Sequence, residues 1–388
     1  MIVFIMAAIF VATAGKDSNS GASTTPFATI SHAIRTAQDE DTITVAAGTY
    51  TEGLIINKPL TIQAADVPFA IIPPPSLERT EAVLIQGTHD VVIDGIDIDA
   101  TNRYRGIAIN TTPRVTIRNF AVRNCVGKVA GQRGQGVIVS ADNVSGFVTL
   151  EDGLITHISS LEQDLDYSHG LYASCRGMVV RRVTFDDCAT NGVHFYGAGA
   201  GDCMVDSCRF TRCRIGVGFY TGDCLAFNCV FRAVYLALMA RYIVRSAAFY
   251  HHTVIGSTLG ADAKEYSHVD GNGNVDTEIE FANILFHECA QAISAVSAGG
   301  HIVAHHNLYS AVILADEARG GATIELSHLT GLFSPVKDDG AYMFRPQRGN
   351  PALAAGVPID GLTIDHARRA RPVQPALGAY EASVRLAW

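Results

Sequence analysis

Gly170-Leu171-Tyr172-Ala173-Ser174, Gly192-Val193-His194-Phe195-Tyr196 and Gly216-Val217-Gly218-Phe219-Tyr220 decide the fold: their glycines lie 22 and 24 residues apart. A second set, Arg182-Val183-Thr184-Phe185, Ser207-Cys208-Arg209-Phe210 and Asn228-Cys229-Val230-Phe231, keeps step with the first. One unit of this size cannot bury its apolar face alone, so a short fixed period implies stacked coils. Apolar residues alternate in short runs punctuated by Gly and Asn, which makes each unit strands and turns. The expected fold is all-β, a single-stranded right-handed parallel β-helix (a solenoid).

Outward from this stretch, Thr42-Ile43-Thr44-Val45, Leu54-Ile55-Ile56, Leu60-Thr61-Ile62, Val83-Leu84-Ile85 and Val91-Val92-Ile93 carry the same alternation. The coils are therefore expected over 42–336, with a loop from Pro68 to Pro75 and an irregular C-terminal cap over 337–388. Residues 15–41 form the N-terminal cap. Thr25-Pro26 before Phe27-Ala28-Thr29-Ile30 predicts a helix with Pro at its first position, its apolar face closing the stack against edge pairing. Residues 1–14 read either as a leader ending in Ala12-Thr13-Ala14 or as a first strand, with no basic segment before the apolar run.

The chain has 388 residues, 17% of them charged, with 36 Gly and a formal charge of −9. A solenoid grows without enlarging its core cross-section, so one domain suffices. An acidic chain without a basic stripe argues against nucleic acid as a partner, yet a local basic cleft is compatible with an acidic whole. No run is long and apolar enough for a membrane span. Cys188, Cys208 and Cys229, with Cys203 and Cys224, follow the coil period, which predicts buried, reduced thiols stacked on neighbouring coils. The Cys-x2-Cys spacing of zinc sites is absent. Asn228, Asn283, Asn307 and Asn119 suggest an internal Asn ladder at the turns. His251-His252 and His305-His306 are strand-like doublets, so one of each pair should face out.

Ala12-Thr13-Ala14-Gly15-Lys16-Asp17-Ser18-Asn19-Ser20-Gly21, followed by Pro26-Phe27-Ala28-Thr29-Ile30, resembles the head of secreted parallel β-helix proteins of the pectate-lyase-like superfamily. Asn350-Pro351-Ala352-Leu353 with Pro375-Ala376-Leu377-Gly378-Ala379-Tyr380-Glu381 is similar to their tail. The resemblance implies an extracellular or cell-surface protein that acts on polysaccharide. Within the superfamily stand uronan lyases, C5-epimerases, glycoside hydrolases and proteins without activity, and fold alone does not choose among them.

Two coils lengthen the same corner, through 126–135 and 159–169, and Asn102-Arg103-Tyr104-Arg105 precedes them there. Lengthening turns along one edge builds a cleft wall. On the adjoining strands alternation turns Tyr172, Ser174, His194, Tyr196 and Tyr220 outward. Tyr and His also simply favour strands, but here the aromatic column and the insertions converge. Taking the proton beside a uronate carboxylate needs a base, a donor and a cation. The candidates are His194 or His169, Tyr172 or Tyr196, and Arg133, with Arg105, Lys128, Tyr104, Tyr220 and Asp166 as substrate contacts. Asp164-Leu165-Asp166-Tyr167-Ser168-His169 stands where the superfamily's epimerases place an acidic His-bearing motif, here without its Pro and in another order. No cofactor or metal is required. Ca2+ on Glu162, Asp164 and Asp166 is the alternative. The expected partner is an acidic polysaccharide, and the choice between lyase and epimerase stays open. A hydrolase alternative rests on Asp186-Asp187, which resemble the paired Asp of polygalacturonases with the neighbouring motifs in a different order. The other alternative is a non-catalytic glycan binder of a cell surface or phage appendage.

Overall fold

The structure, a computed structural model, describes residues 8–140, 145–197, 201–266, 278–295, 301–310, 324–326, 333–338, 341–346 and 352–381. The chain divides into two compact units, residues 1–200 and 201–388. In each, strands of successive coils pair in parallel and in register, as the repeat predicts. In the first unit one sheet runs through Ala8–Val11, Thr42–Val45, Thr61–Ala64 and Val91–Asp94. A second runs through Leu54–Ile56, Glu81–Gln86, Arg105–Asn110, Gln135–Ser140, His169–Ala173 and Asn191–Phe195. This second sheet carries the Gly-led strands. A third includes Thr49–Tyr50, Phe69–Ile71 and Ile96–Asp99. Phe69–Ile71 thus pairs as a strand where a Pro-flanked loop was expected, because Phe69 and Ile71 are fully buried between the prolines.

The inward residues form a column: Val83, Ile107, Val137, Leu171 and Val193 are all without exposed surface. The glycines of the repeat belong to this packing. A Cβ at Gly170 would lie 2.7 Å from the Phe185 ring and 2.7 Å from the Gly192 carbonyl. At Gly216, in the second unit, it would lie 2.5 Å from the Phe231 ring. The repeat keeps Gly where a core ring from another sheet needs the space.

The N-terminal helix spans Ile30–Thr36, starting later than Pro26. Phe27 is held as a β-bridge to Val11, and Thr29 becomes the N-cap, its hydroxyl accepting from the His32 amide. The Glu52 carboxylate accepts from the Ile30 and Ser31 amides, satisfying donors that a helix start leaves open. Ile30, Ala33 and Ile34 are buried, as the apolar face predicts.

In the second unit, strands 203–206 and 224–227 pair directly, placing Cys203 beside Cys224. All nine cysteines are buried, and burial raises the thiol pKa of Cys224 and Cys229. The Asn ladder needs correction. Asn228 and Asn283 occupy left-handed corners, but the intervening and following corners are His251 and His306. Asn307 stands one place further on, where its side chain accepts from the Ile284 amide and donates to the Phe281 carbonyl. Asn119 is exposed and donates to Asp94. His251 and His252 are both fully buried, so neither faces out: a left-handed residue at 251 breaks the strand alternation.

Residues 352–381 contain no long regular element, but they run against the Asn228 and Asn283 corners. Asn228 donates to the Ile364 carbonyl and accepts from Arg371; the Gly378 amide donates to the Asn283 carbonyl. Arg371 pairs with Glu381, their side chains 2% and 9% exposed. Phe333–Asp338 and Ala341–Pro346 form an antiparallel pair.

Candidate functional site

The Gly-led sheet of the first unit positions the predicted groups. Tyr172 pairs in register with His194, and Gln135 with His169. His169 and His194 ring centroids are 4.3 Å apart; Tyr172 lies 5.9 Å from His169 and 5.4 Å from His194. Tyr196, 47% exposed, meets His194 edge-on at 5.7 Å. Four of the five expected catalytic side chains therefore form one contact cluster with His194 at its hub. Tyr172 and His194 are half-buried, and His169 is buried.

The lengthened corner is well tied. Residues Glu162–Tyr167 form a 3-10 turn. The buried Asp164 carboxylate accepts from the Gly131 amide at 2.8 Å, and the Ser160 hydroxyl accepts from the Gly134 amide at 2.7 Å. The Ser168 hydroxyl donates to Ser160, and the His169 amide to the Gly134 carbonyl. One insertion thus braces the other. Asp164 is engaged in this brace, and among the described residues no group of three or more His, Cys, Asp and Glu gathers to hold a metal ion.

The exposed Arg133 guanidinium lies 3.9 Å from the centre of the Tyr167 ring, a cation–π arrangement that holds its charge at the cluster's rim. Desolvation pushes the His169 pKa down to about 3; a hydrogen bond with Asn191 and the charge of Asp166 oppose this, and Arg133 adds to it. Desolvation also holds His194 well below the ordinary imidazole value, with His169 contributing. Both rings are neutral at neutral pH and carry lone pairs that accept protons.

The expected substrate contacts divide. Asp166 is exposed and within electrostatic reach of His169. Tyr104 and Lys128 line a cavity of about 260 Å³ with Leu77, Arg79, Thr80 and Arg103. Arg105 is half-buried beside it, with Nη1 3.5 Å from the Thr80 hydroxyl and its guanidinium 5.4 Å from the Tyr104 ring centre. Tyr220 belongs to the second unit and is buried, not exposed. The register shifts between Phe219 and Thr221, and the ring packs on Leu236 and Met239. Ser174 is likewise buried, because the strand ends at Ala173 and its amide donates to the Val139 carbonyl. Asp186 and Asp187 lie on the strand Arg176–Cys188, where Asp186 pairs with Thr156 on the third sheet rather than on the Gly-led one.

Sequence reasoning missed Asn191, fully buried and hydrogen-bonded to His169. Its signal was present. One place before the inward glycine or alanine, the first unit carries Glu81, Arg105, Gln135, His169 and Asn191 in succession. A polar column beside the repeat glycine is unneeded for packing and marks the strand edge on which His169 and Asn191 meet.

The family described as "Right handed beta helix region" matches residues 77–308, more than half of the chain. The protein belongs to the right-handed β-helix family. Residues 13–68 match a second family, "Protein of unknown function (DUF1565)". Among solved structures, this β-helix is similar to pectate lyase Pel9A, with a TM-score of 0.63, 16% identity and coverage of 97% of this chain and 96% of that one. It is also similar to XylC, solved in complex with xylose (TM-score 0.55, 9% identity, 96% and 98% covered). A PL6 alginate lyase in complex with a trisaccharide gives a TM-score of 0.50 at 10% identity, with 92% of each chain covered. At such identities the likeness is one of fold. A search of curated proteins finds no matching sequence.

Proposed function

We propose that this β-helix is a carbohydrate-active enzyme that acts outside the cell on an acidic, uronate-containing polysaccharide, by removing the C5 proton as a lyase or C5-epimerase. The observation that carries the reading is the contact cluster of His169, His194, Tyr172 and Tyr196, rimmed by Arg133 on the lengthened edge. Arg133 holds the uronate carboxylate and stabilises the charge that develops on it as the C5–H bond breaks. His194, half-buried at the hub, takes the proton. His169, buried and fixed by Asn191, is a positioning residue that keeps His194 neutral and oriented. Tyr196, the most exposed of the four, donates a proton. If that proton goes to the O4 leaving group, the C4–O4 bond breaks and a C4–C5 double bond forms. If it returns to C5 from the opposite face, configuration inverts and the chain stays whole. The low resting basicity of His194 fits this order of events, because a bound carboxylate nearby raises an imidazole pKa toward the useful range.

The test is a panel of uronans incubated in deuterated buffer, with and without a chelator. Ultraviolet absorbance reads unsaturated product and NMR reads C5 configuration and deuterium incorporation. A lyase gives absorbance, and an epimerase gives inverted, deuterated C5. New reducing ends without either would transfer the reading to a hydrolase. The strongly depressed imidazoles also favour a second reading, a glycan binder without turnover, which predicts saturable binding and no deuterium at C5.

A further inference from the structure

The cavity beside Tyr104 has a composition that the His194 cluster does not use. Arg79, Arg103 and Lys128 line it, with Arg105 adjacent; the acids near it are Glu78 in the lining and Glu81, which faces Arg79 and Arg103 electrostatically. Four cations against two carboxylates leave a local excess of positive charge in a chain of net charge −9. These cations are costly to place. Desolvation lowers the Arg79 pKa, and Arg103 lowers it further against the pull of Glu81. They are also fixed. Arg103 Nη2 donates to the Pro74 carbonyl at 2.7 Å, Arg79 Nη1 to the Leu54 carbonyl at 3.0 Å, and Lys128 Nζ to the Thr101 carbonyl at 2.8 Å. The Nε atoms of Arg103 and Arg105 are buried with no hydrogen-bond partner among the described residues. A cavity lined by fixed cations with a local excess of positive charge suits an anion.

We infer that the Arg79–Arg103–Lys128 cavity is a remote carboxylate subsite, which seats a uronate residue of the same polysaccharide whose reacting ring lies at His194. This rests on the proposed function for the identity of the chain. Arg105, Gln135, His169 and Asn191 belong to successive strands, so the cavity and His194 stand about three strand spacings apart, about 14 Å. A few linked sugar rings are needed to span that distance, which makes the subsite a selector for length and for charge away from the reacting ring. Carboxylate–guanidinium pairing of this kind contributes about ten- to a hundred-fold in affinity.

The experiment measures calorimetric affinity for a trimer and a hexamer of galacturonate and of guluronate, on the full chain and on Arg103→Gln, Lys128→Ala and the surface control Arg118→Gln. The expected result is a hexamer bound about ten-fold or more tighter than the trimer, a ratio that falls toward one in Arg103→Gln and Lys128→Ala and holds in Arg118→Gln. Lys128 is exposed, so its variant keeps the test open if Arg103→Gln misfolds. Equal affinity for trimer and hexamer, an unchanged ratio in both cavity variants, or no binding of any hexamer overturns the subsite. Turnover is read separately: length-dependent binding without C5 exchange breaks the proposed reaction and leaves the subsite standing, whereas C5 exchange with no length dependence does the reverse.

Discussion

Two histidine pairs, His169/His194 in the first unit and His251/His252 in the second, have the same electrostatic signature and opposite surroundings. Desolvation is the largest cause of a depressed pKa in all four rings. His252 lies among Phe231 and Phe249, and its Nδ1 accepts from the Cys229 amide at 3.1 Å. His251 sits at a left-handed corner against the Asn283 side chain and backbone of residues 376 and 378. Those contacts complete a core. The rings of His169 and His194 instead meet Tyr172, Tyr196 and each other, next to the braced corner that ends at His169. A perturbed imidazole is therefore no marker by itself; the partners decide whether burial serves packing or chemistry.

The sharpest way to break this contrast is His194→Ala. Turnover on a verified uronan should fall about 10²–10⁴-fold, the usual cost of losing a proton-transfer group, with little change in unfolding midpoint. Full activity in this variant would return the first pair to the structural class. His252→Ala should do the converse: chemical denaturation should show a loss of about 2–4 kcal/mol, from a cavity among Phe rings and an orphaned Cys229 amide. An unchanged stability there would show that the second pair is not the core element its contacts describe.

Acid sharpens the comparison through linkage. In the unfolded chain an imidazole titrates near 6.5, whereas in the fold His169 and His252 titrate at about 3. Between these values the unfolded chain binds protons that the native chain refuses, so stability is complete above about 6.5 and drains as pH falls toward 3. Melting curves at successive pH values read this decline. A bound oligouronate should lessen the share that belongs to His169 and His194, whereas the share of His251 and His252 should persist. Smallest of all, His306→Ala should leave turnover within measurement error of the parent, as expected for a half-buried ring that packs on His305.

The fold was legible because Gly recurs where a core ring needs its space, so the period of Gly170 and Gly192 records the coil directly. The aromatic cluster was legible for the same reason: strand alternation beside that glycine turns Tyr172 and His194 outward together. What escaped was local. Tyr220 follows a register shift that alternation does not foresee, and the helix start moved because Phe27 gains more as a bridge to Val11 than as a helical residue. The Asn ladder failed because left-handed corners also accept His251 and His306, so side-chain identity alone does not fix the corner register. The Arg79–Arg103 cavity is built largely from residues between strands, which leave no period to read.

The corner at Asn228 has a consequence for the order in which the chain is made. Its side chain is answered by Ile364 and Arg371, 136 and 143 residues later. A ribosome releases the coils around Asn228 long before those partners exist, so that edge of the second unit waits with its polar groups in water while the coils beneath it can already stack. Closure over so long a loop is slow relative to local pairing. Folding of the second unit should therefore finish from its tail, with the clasp at Arg371 and Glu381 as its last event.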